Sequence, residues 1–191
     1  MTTCLTPTEA RAVNRAITIL ERAFGRGDAC FVNTPTIAHD LLRLRLGGLQ
    51  REEFHAFWVD AHHRLIQAET LVVGTLAQTA VYPREVVKSA LAHNAAGVVF
   101  AHNHPSGTAT PSRSDWLLTD TLRDALQLVG VELLDHVVVT ATDTVSMDAL
   151  ARAEREQRAY ATLAEVTALQ AKRALSRATR KTAKPRAVES A

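Results

Sequence analysis

An apolar run, Gly97-Val98-Val99-Phe100-Ala101, leads without a break into His102-Asn103-His104, and a loop then carries the chain to Ser112-Arg113-Ser114-Asp115. No other stretch constrains the fold as tightly. The run is short and bounded by turn signals, which reads as a strand buried on both faces, and the pattern from Ser112 onward reads as a helix. Side chains two apart on a strand point to one face, so His102 and His104 converge. Pro105, Gly107 and Pro111 are turn formers that bring the chain back, and Asp115 at the start of the helix can then close a group of three. Two imidazoles and a carboxylate with one position left open outline a catalytic zinc site.

Each part also has a plainer meaning. Ser112 and Asp115 have the spacing of a helix capping box, and an acid in the first turn is favoured by the helix dipole. A single histidine ending a strand is more often structural than a ligand. The metal reading rests on the coincidence of H-x-H, the strand before it, the turn-rich loop after it and S-x-x-D opening the next helix.

The rest of the chain supplies a frame for this stretch. Thr6-Pro7-Thr8-Glu9 is a capped helix start, and Ala10, Val13, Ile17, Leu20 and Phe24 follow on one face until Gly25 and Gly27. A second helix opens at Thr34-Pro35, turns Ile37, Leu41 and Leu42 inward and ends at Gly47-Gly48. Residues 52–60 read as a strand with Phe54, Ala56 and Trp58 on one face and Phe57 and Val59 on the other. A turn at 60–64 joins it to a second strand, 65–73, as a hairpin. Pro83 opens a helix carrying Val86, Val87, Ala90 and Leu91. The helix after Ser112 places Leu118, Leu122, Ala125 and Val129 on one face and ends at Gly130. Strands at 131–140 and near 144–147 follow, then a long Ala/Arg/Glu-rich helix from about 149. Strands and helices mixed in this order predict an α/β (α+β) sandwich with a partly antiparallel sheet flanked by helices, extended by helices at both ends. The expected divisions are an N-terminal helix at 1–34, a domain at 35–150, and a helical extension with a basic tail at 151–191.

Composition bounds the function. At 191 residues, 47% hydrophobic and 22% charged, the chain is an ordinary globular one with room for one sizeable core. No apolar run is long enough for a membrane span. The start of the chain has no secretory pattern, and Cys4 and Cys30 form neither a disulfide framework nor a CxxC site, so a cytoplasmic setting is expected. The net charge of +2 is unevenly spread. Residues 172–191 hold seven Lys or Arg against Glu189, while the remainder holds 15 basic and 19 acidic residues. A basic tail of this kind can give salt-sensitive, sequence-independent contact with nucleic acid. The plainer reading is a solvated tail, since no aromatic residues interleave with the charges.

His-x-His, seven residues, then Ser-x-x-Asp resembles the signature of the JAMM (MPN-type) zinc metallopeptidases. The form here, His102-Asn103-His104-Pro105-Ser106-Gly107 with Pro111-Ser112, is similar to the RadC family. Phe57-Trp58-Val59-Asp60, His63-Arg64-Leu65-Ile66, Gly74-Thr75, Val81-Tyr82-Pro83-Arg84-Glu85-Val86, Asn94-Ala95-Ala96 and Leu134-Asp135-His136-Val137-Val138-Val139 agree with it, over roughly residues 35–148. The resemblance implies a cytidine-deaminase-like, MPN-type mixed sheet and a Zn2+ cofactor held by His102, His104 and Asp115. It also implies an oxyanion-stabilising Ser112, a glutamate general base on an upstream strand, and a peptide or protein substrate cleaved at a peptide or isopeptide bond. Glu52 and Glu53 both qualify as the base. Matching Phe54 and Asp60 to the family's strand gives Glu52, whereas apolar residues on both faces mean that alternation alone cannot choose. Typical RadC relatives carry a helix-hairpin-helix-like segment ahead of this domain. Here the residues before Glu52 read as two plain amphipathic helices, so DNA binding inferred from that segment does not carry over.

Other readings fit less well. In HNH nucleases the histidines and asparagine are scattered rather than adjacent, a nucleobase deaminase needs P-C-x-x-C beside H-x-E, and H-E-x-x-H is absent. Asp135-His136 reads as structural rather than as a second metal site, His62-His63 as solvent-facing, and His39, His55 and His93 as lacking evident partners. A non-catalytic, DNA-associated protein using its tail is the alternative function.

Overall fold

The two stretches that are apolar on both faces become the middle of the sheet. In the computed structural model, which describes residues 5–28, 35–74 and 81–182 (171 and 173–182 by backbone alone), β1 (Glu53–Val59) lies between β2 (Leu65–Val73) and β3 (Gly97–Asn103). β4 (Glu132–Val139) and β5 (Thr144–Ser146) complete the order β2-β1-β3-β4-β5. β1 runs antiparallel to both neighbours, β3 and β4 are parallel, and β5 returns antiparallel to β4. This is the mixed α/β sheet expected, hairpin included. The hairpin turn is held by Asp60, whose carboxylate accepts from the amides of His62 and Arg64 at 2.8 and 2.9 Å, with His63 in the left-handed region at φ 59°.

Alternation sends the two faces of the sheet into separate cores. Phe57, Val59, Val99, Ala101, Val137 and Val139 pack with Phe24 of α1 (Pro7–Arg26) and Leu41, Leu42 and Leu46 of α2 (Pro35–Leu46). On the opposite face Phe54, Ala56, Trp58, Val98 and Phe100 meet Val86 and Ala90 of α3 (Pro83–Ala92) and Leu122 and Leu126 of α4 (Arg113–Gln127). Every residue of β3 is buried, as its unbroken apolar run requires. Gly47 closes α2 where nothing larger fits, since a Cβ there would stand 2.9 Å from the carbonyl of Thr140.

Local signals set the helix starts. Thr6 caps α1 in a full capping box with Glu9. The inward faces differ in part from the sequence reading. Ile37 is 36% exposed and Ala38 and Leu46 are buried instead, while Leu91 is exposed and α3 turns only Val86 and Ala90 fully inward. On α4 the buried stripe is Asp115, Thr119, Leu122 and Leu126, and Val129 is exposed. A stripe drawn from apolar residues alone is rotated here because two polar residues occupy inward positions.

α5 (Met147–Thr182) begins two residues before its expected start, where the Asp135 carboxylate accepts from the amide of Asp148 at 3.2 Å and satisfies an orphan N–H. The chain forms two compact units, 1–148 and 149–191. The second is the body of α5, with side chains exposed from 152 to 170. Among the described residues no helix is long and apolar enough to cross a membrane. Cys4, Cys30, Thr34, Thr75 and the basic residues from Lys184 on lie outside the described residues.

Candidate metal centre

β3 delivers both histidines and α4 delivers the carboxylate. His102 and His104 share the β3 face that carries Val98 and Phe100, which is the face α4 covers. The amide of His104 donates to the carbonyl of Val139 at 2.8 Å, carrying the pairing of β3 with β4 one residue further. Phe54 stacks on His102 with centroids 6.3 Å apart and presents its ring to His136, so the floor of the site is apolar.

The three proposed ligands meet. His102 Nε2 lies 3.0 Å from His104 Nε2 and 3.4 Å from Asp115 Oδ1, and His104 Nε2 lies 3.6 Å from Asp115 Oδ2. Tetrahedral ligands about 2.0–2.1 Å from zinc stand about 3.3–3.4 Å apart, so these separations bracket what a small tetrahedral ion requires. Two imidazole nitrogens and a carboxylate oxygen are also a donor set that suits zinc. Among the described residues this is the group of His, Cys, Asp and Glu side chains able to hold a metal ion. The side chains of His102 and Asp115 are sealed, and His104, 14% exposed, forms the opening.

Asp115 serves as cap and cluster member together. Ser112 Oγ accepts from its amide at 3.2 Å, and its Oδ2 accepts from the Ser112 amide at 2.6 Å, a complete capping box. The plainer reading of S-x-x-D is therefore true without displacing the metal one. Burial pushes the Asp115 carboxyl up, but His102 and His104 outweigh it and hold the group well below the usual carboxylate range. Asp115 in turn raises His104, helped by the Thr108 carbonyl and the charge of Glu52, while burial opposes. His104 Nδ1 donates to that carbonyl at 2.7 Å, which leaves its Nε2 for a metal.

The two glutamates separate. Glu53 turns to His55 on the far face, 3.0 Å from its Nε2. Phe54 pairs with His102 across the sheet, and Glu52, two residues before Phe54, falls on the face of the metal cluster, where His104 feels its charge. Asn103, the middle residue of H-x-H, points the other way and accepts from the Glu53 amide at 2.8 Å.

Two further residues stand behind the cluster, brought there by tertiary contacts that sequence spacing does not show. His136, 1% exposed, stands 2.8 Å from His102 Nδ1 through its Nε2, and Thr119 Oγ1 lies 2.6 Å from its Nδ1. Burial above all holds His136 well below the usual imidazole range. The clue in the sequence was a threonine four residues after Asp115, on the same helical face. Other histidines also have partners that spacing did not reveal: His39 meets Thr144, His55 meets Glu53 and Thr70, and His93 meets Glu69. His62 is exposed as expected, whereas His63 is half-buried.

The RadC-like JAB domain family matches residues 32–154. The chain belongs to that family. It is similar to the UPF0758 proteins of Polaromonas sp. strain JS666, 60% identical over 115 residues, and of Aromatoleum aromaticum, 56% identical over 114 residues. In both cases the match covers 60% of this chain and 51% of the relative. The UPF0758 protein of Paraburkholderia xenovorans is 53% identical over 114 residues, 60% of this chain and 45% of its own. The chain thus spans about half the length of the curated relatives it matches. The His102–His104–Asp115 group lies inside the RadC-like JAB domain, at the end of β3 where the crossover helix begins.

Proposed function

We propose that this chain is a zinc-dependent hydrolase of the JAMM type that cleaves a peptide or isopeptide bond. The observation that carries the reading is the triangle of His102, His104 and Asp115, closed on two sides and open at His104, with interligand separations of 3.0, 3.4 and 3.6 Å. When bound, zinc makes a water more acidic and polarises a carbonyl. Glu52 takes a proton from the attacking water as the C–O bond forms, and hands it to the amine nitrogen as the C–N bond breaks. Its position on the cluster's face supports this assignment over Glu53, which is engaged with His55. Ser112, exposed at the start of α4, donates its hydroxyl to the developing oxyanion.

Elemental analysis of protein purified without chelators tests the reading together with turnover on peptide and isopeptide libraries. About one zinc per chain is expected, lost in His102→Ala and Asp115→Ala with circular dichroism kept. Glu52→Gln is expected to keep zinc and lose turnover. A chain with no transition metal would remove the hydrolase reading, and full turnover by Glu52→Gln would remove Glu52 as the base.

A further inference from the structure

Thr119 and His136 join two of the proposed ligands from behind, and the order of donors along that path can be worked out from its one fixed end. The carbonyl of Asp115 lies 2.6 Å from Thr119 Oγ1 and can only accept. Thr119 has a single hydroxyl proton, so that proton points to the carbonyl, and the Met147 thioether at 3.8 Å is a poor competitor. The Thr119 oxygen must then accept from His136 Nδ1, 2.6 Å away. His136 is buried between a hydroxyl and an imidazole, where an unpaired cation would be costly. It is neutral, its Nε2 is bare, and that nitrogen accepts from His102 Nδ1 at 2.8 Å. His102 carries its proton on Nδ1. Its Nε2 lone pair is therefore left facing His104 and Asp115.

We propose that Thr119 and His136 are positioning residues that fix His102 as the Nδ1–H tautomer and tie it to the main chain of Asp115, so that the metal-binding nitrogen is set before any metal arrives. The proposal rests on the metal reading above. Neither residue touches the ion or the substrate. The path is closed: it starts on one ligand, runs through two buried side chains, and ends on the backbone of another. Ligand histidines elsewhere are oriented by a carboxylate or a backbone carbonyl on the second nitrogen. Here a second histidine stands in that place, and a threonine on the ligand's own helix sets its polarity.

The test uses the full chain and zinc itself. Zinc affinity is measured by competition with a chromophoric chelator, and imidazole tautomers in metal-free wild type are read from long-range 1H–15N spectra. Thr119→Val keeps the shape without the hydroxyl and is expected to weaken zinc binding by about 10–100-fold, whereas Thr119→Ser restores it. The spectra should show Nδ1–H on both His102 and His136. Wild-type affinity in Thr119→Val would overturn the proposal. So would a Thr119→Ser variant as weak as the valine, which would assign the effect to packing, or a His102 with its proton on Nε2. If Thr119→Val does not fold, the wild-type spectra still decide. Wild type that binds no zinc while showing the expected tautomers would instead sink the hydrolase reading.

Discussion

Asn103 sits between two proposed ligands and serves neither. Its amide nitrogen donates to the carbonyls of Leu49 and Arg51 at 3.3 and 2.9 Å, and its oxygen accepts from the amide of Glu53 at 2.8 Å. Main-chain pairing between β1 and β3 ends at Phe54 and His102. The side chain extends it by one residue and clamps the backbone on both sides of Glu52. Asn103 is 1% exposed, and truncation would leave three part-buried backbone groups without this partner. Asn103→Ala is expected to cost about 2–4 kcal/mol in urea unfolding, given about 1–3 for each buried group left unsatisfied and partial relaxation. Zinc content should be kept, because the side chain points away from the cluster. The sequence identified the residue as part of a motif, yet its task depends on what β1 brings to it.

At the scale of an element, α4 decides the site. Its N-terminus carries Ser112 and Asp115, its first turns present Asp115 and Thr119 inward, and its later turns anchor it through Leu122 and Leu126. Leu126 is wholly buried, whereas Val129, which shares its apolar spacing but lies two residues past the end of α4, is 37% exposed. Leu126→Ala is therefore expected to destabilise the chain by about 2–5 kcal/mol, and Val129→Ala by well under 1 kcal/mol, about the ±0.5 of surface changes. Comparable losses at both positions would restore the stripe drawn from apolar residues alone. Helix existence, caps and ends were legible because they depend on neighbours in sequence. The inward face was legible only in part: Leu122 and Asp115 lie where the sequence put them, but Thr119 is turned in by its partner His136 on β4.

For the molecule as a whole, the cluster joins three elements, and an ion held there would link β3, α4 and, through His136, β4. An ion that binds only the folded state at 100 times its dissociation constant adds about 2.7 kcal/mol. For a chain of this size that is roughly 5–10 °C in melting temperature. Adding a strong chelator should lower the melting temperature of zinc-loaded wild type by that amount and leave Asp115→Ala unmoved. A wild type indifferent to chelation would show that no ion supports this fold.

The sequence by itself determined the mixed α/β layout, the two-faced central strands, the capped starts of α1 and α4 and the convergence of His102, His104 and Asp115. All of these follow from period, spacing and local turn chemistry, which act over a few residues. Only the tertiary structure showed that Glu53 turns to His55, away from the face on which Phe54 pairs with His102, because that depends on strand register and not on burial, which is similar on both faces. Only it brought His136 and Thr119 behind the cluster. Those residues are 34 and 17 positions away from the partners they serve, and a hydrogen bond over such a distance is set by strand order and helix rotation.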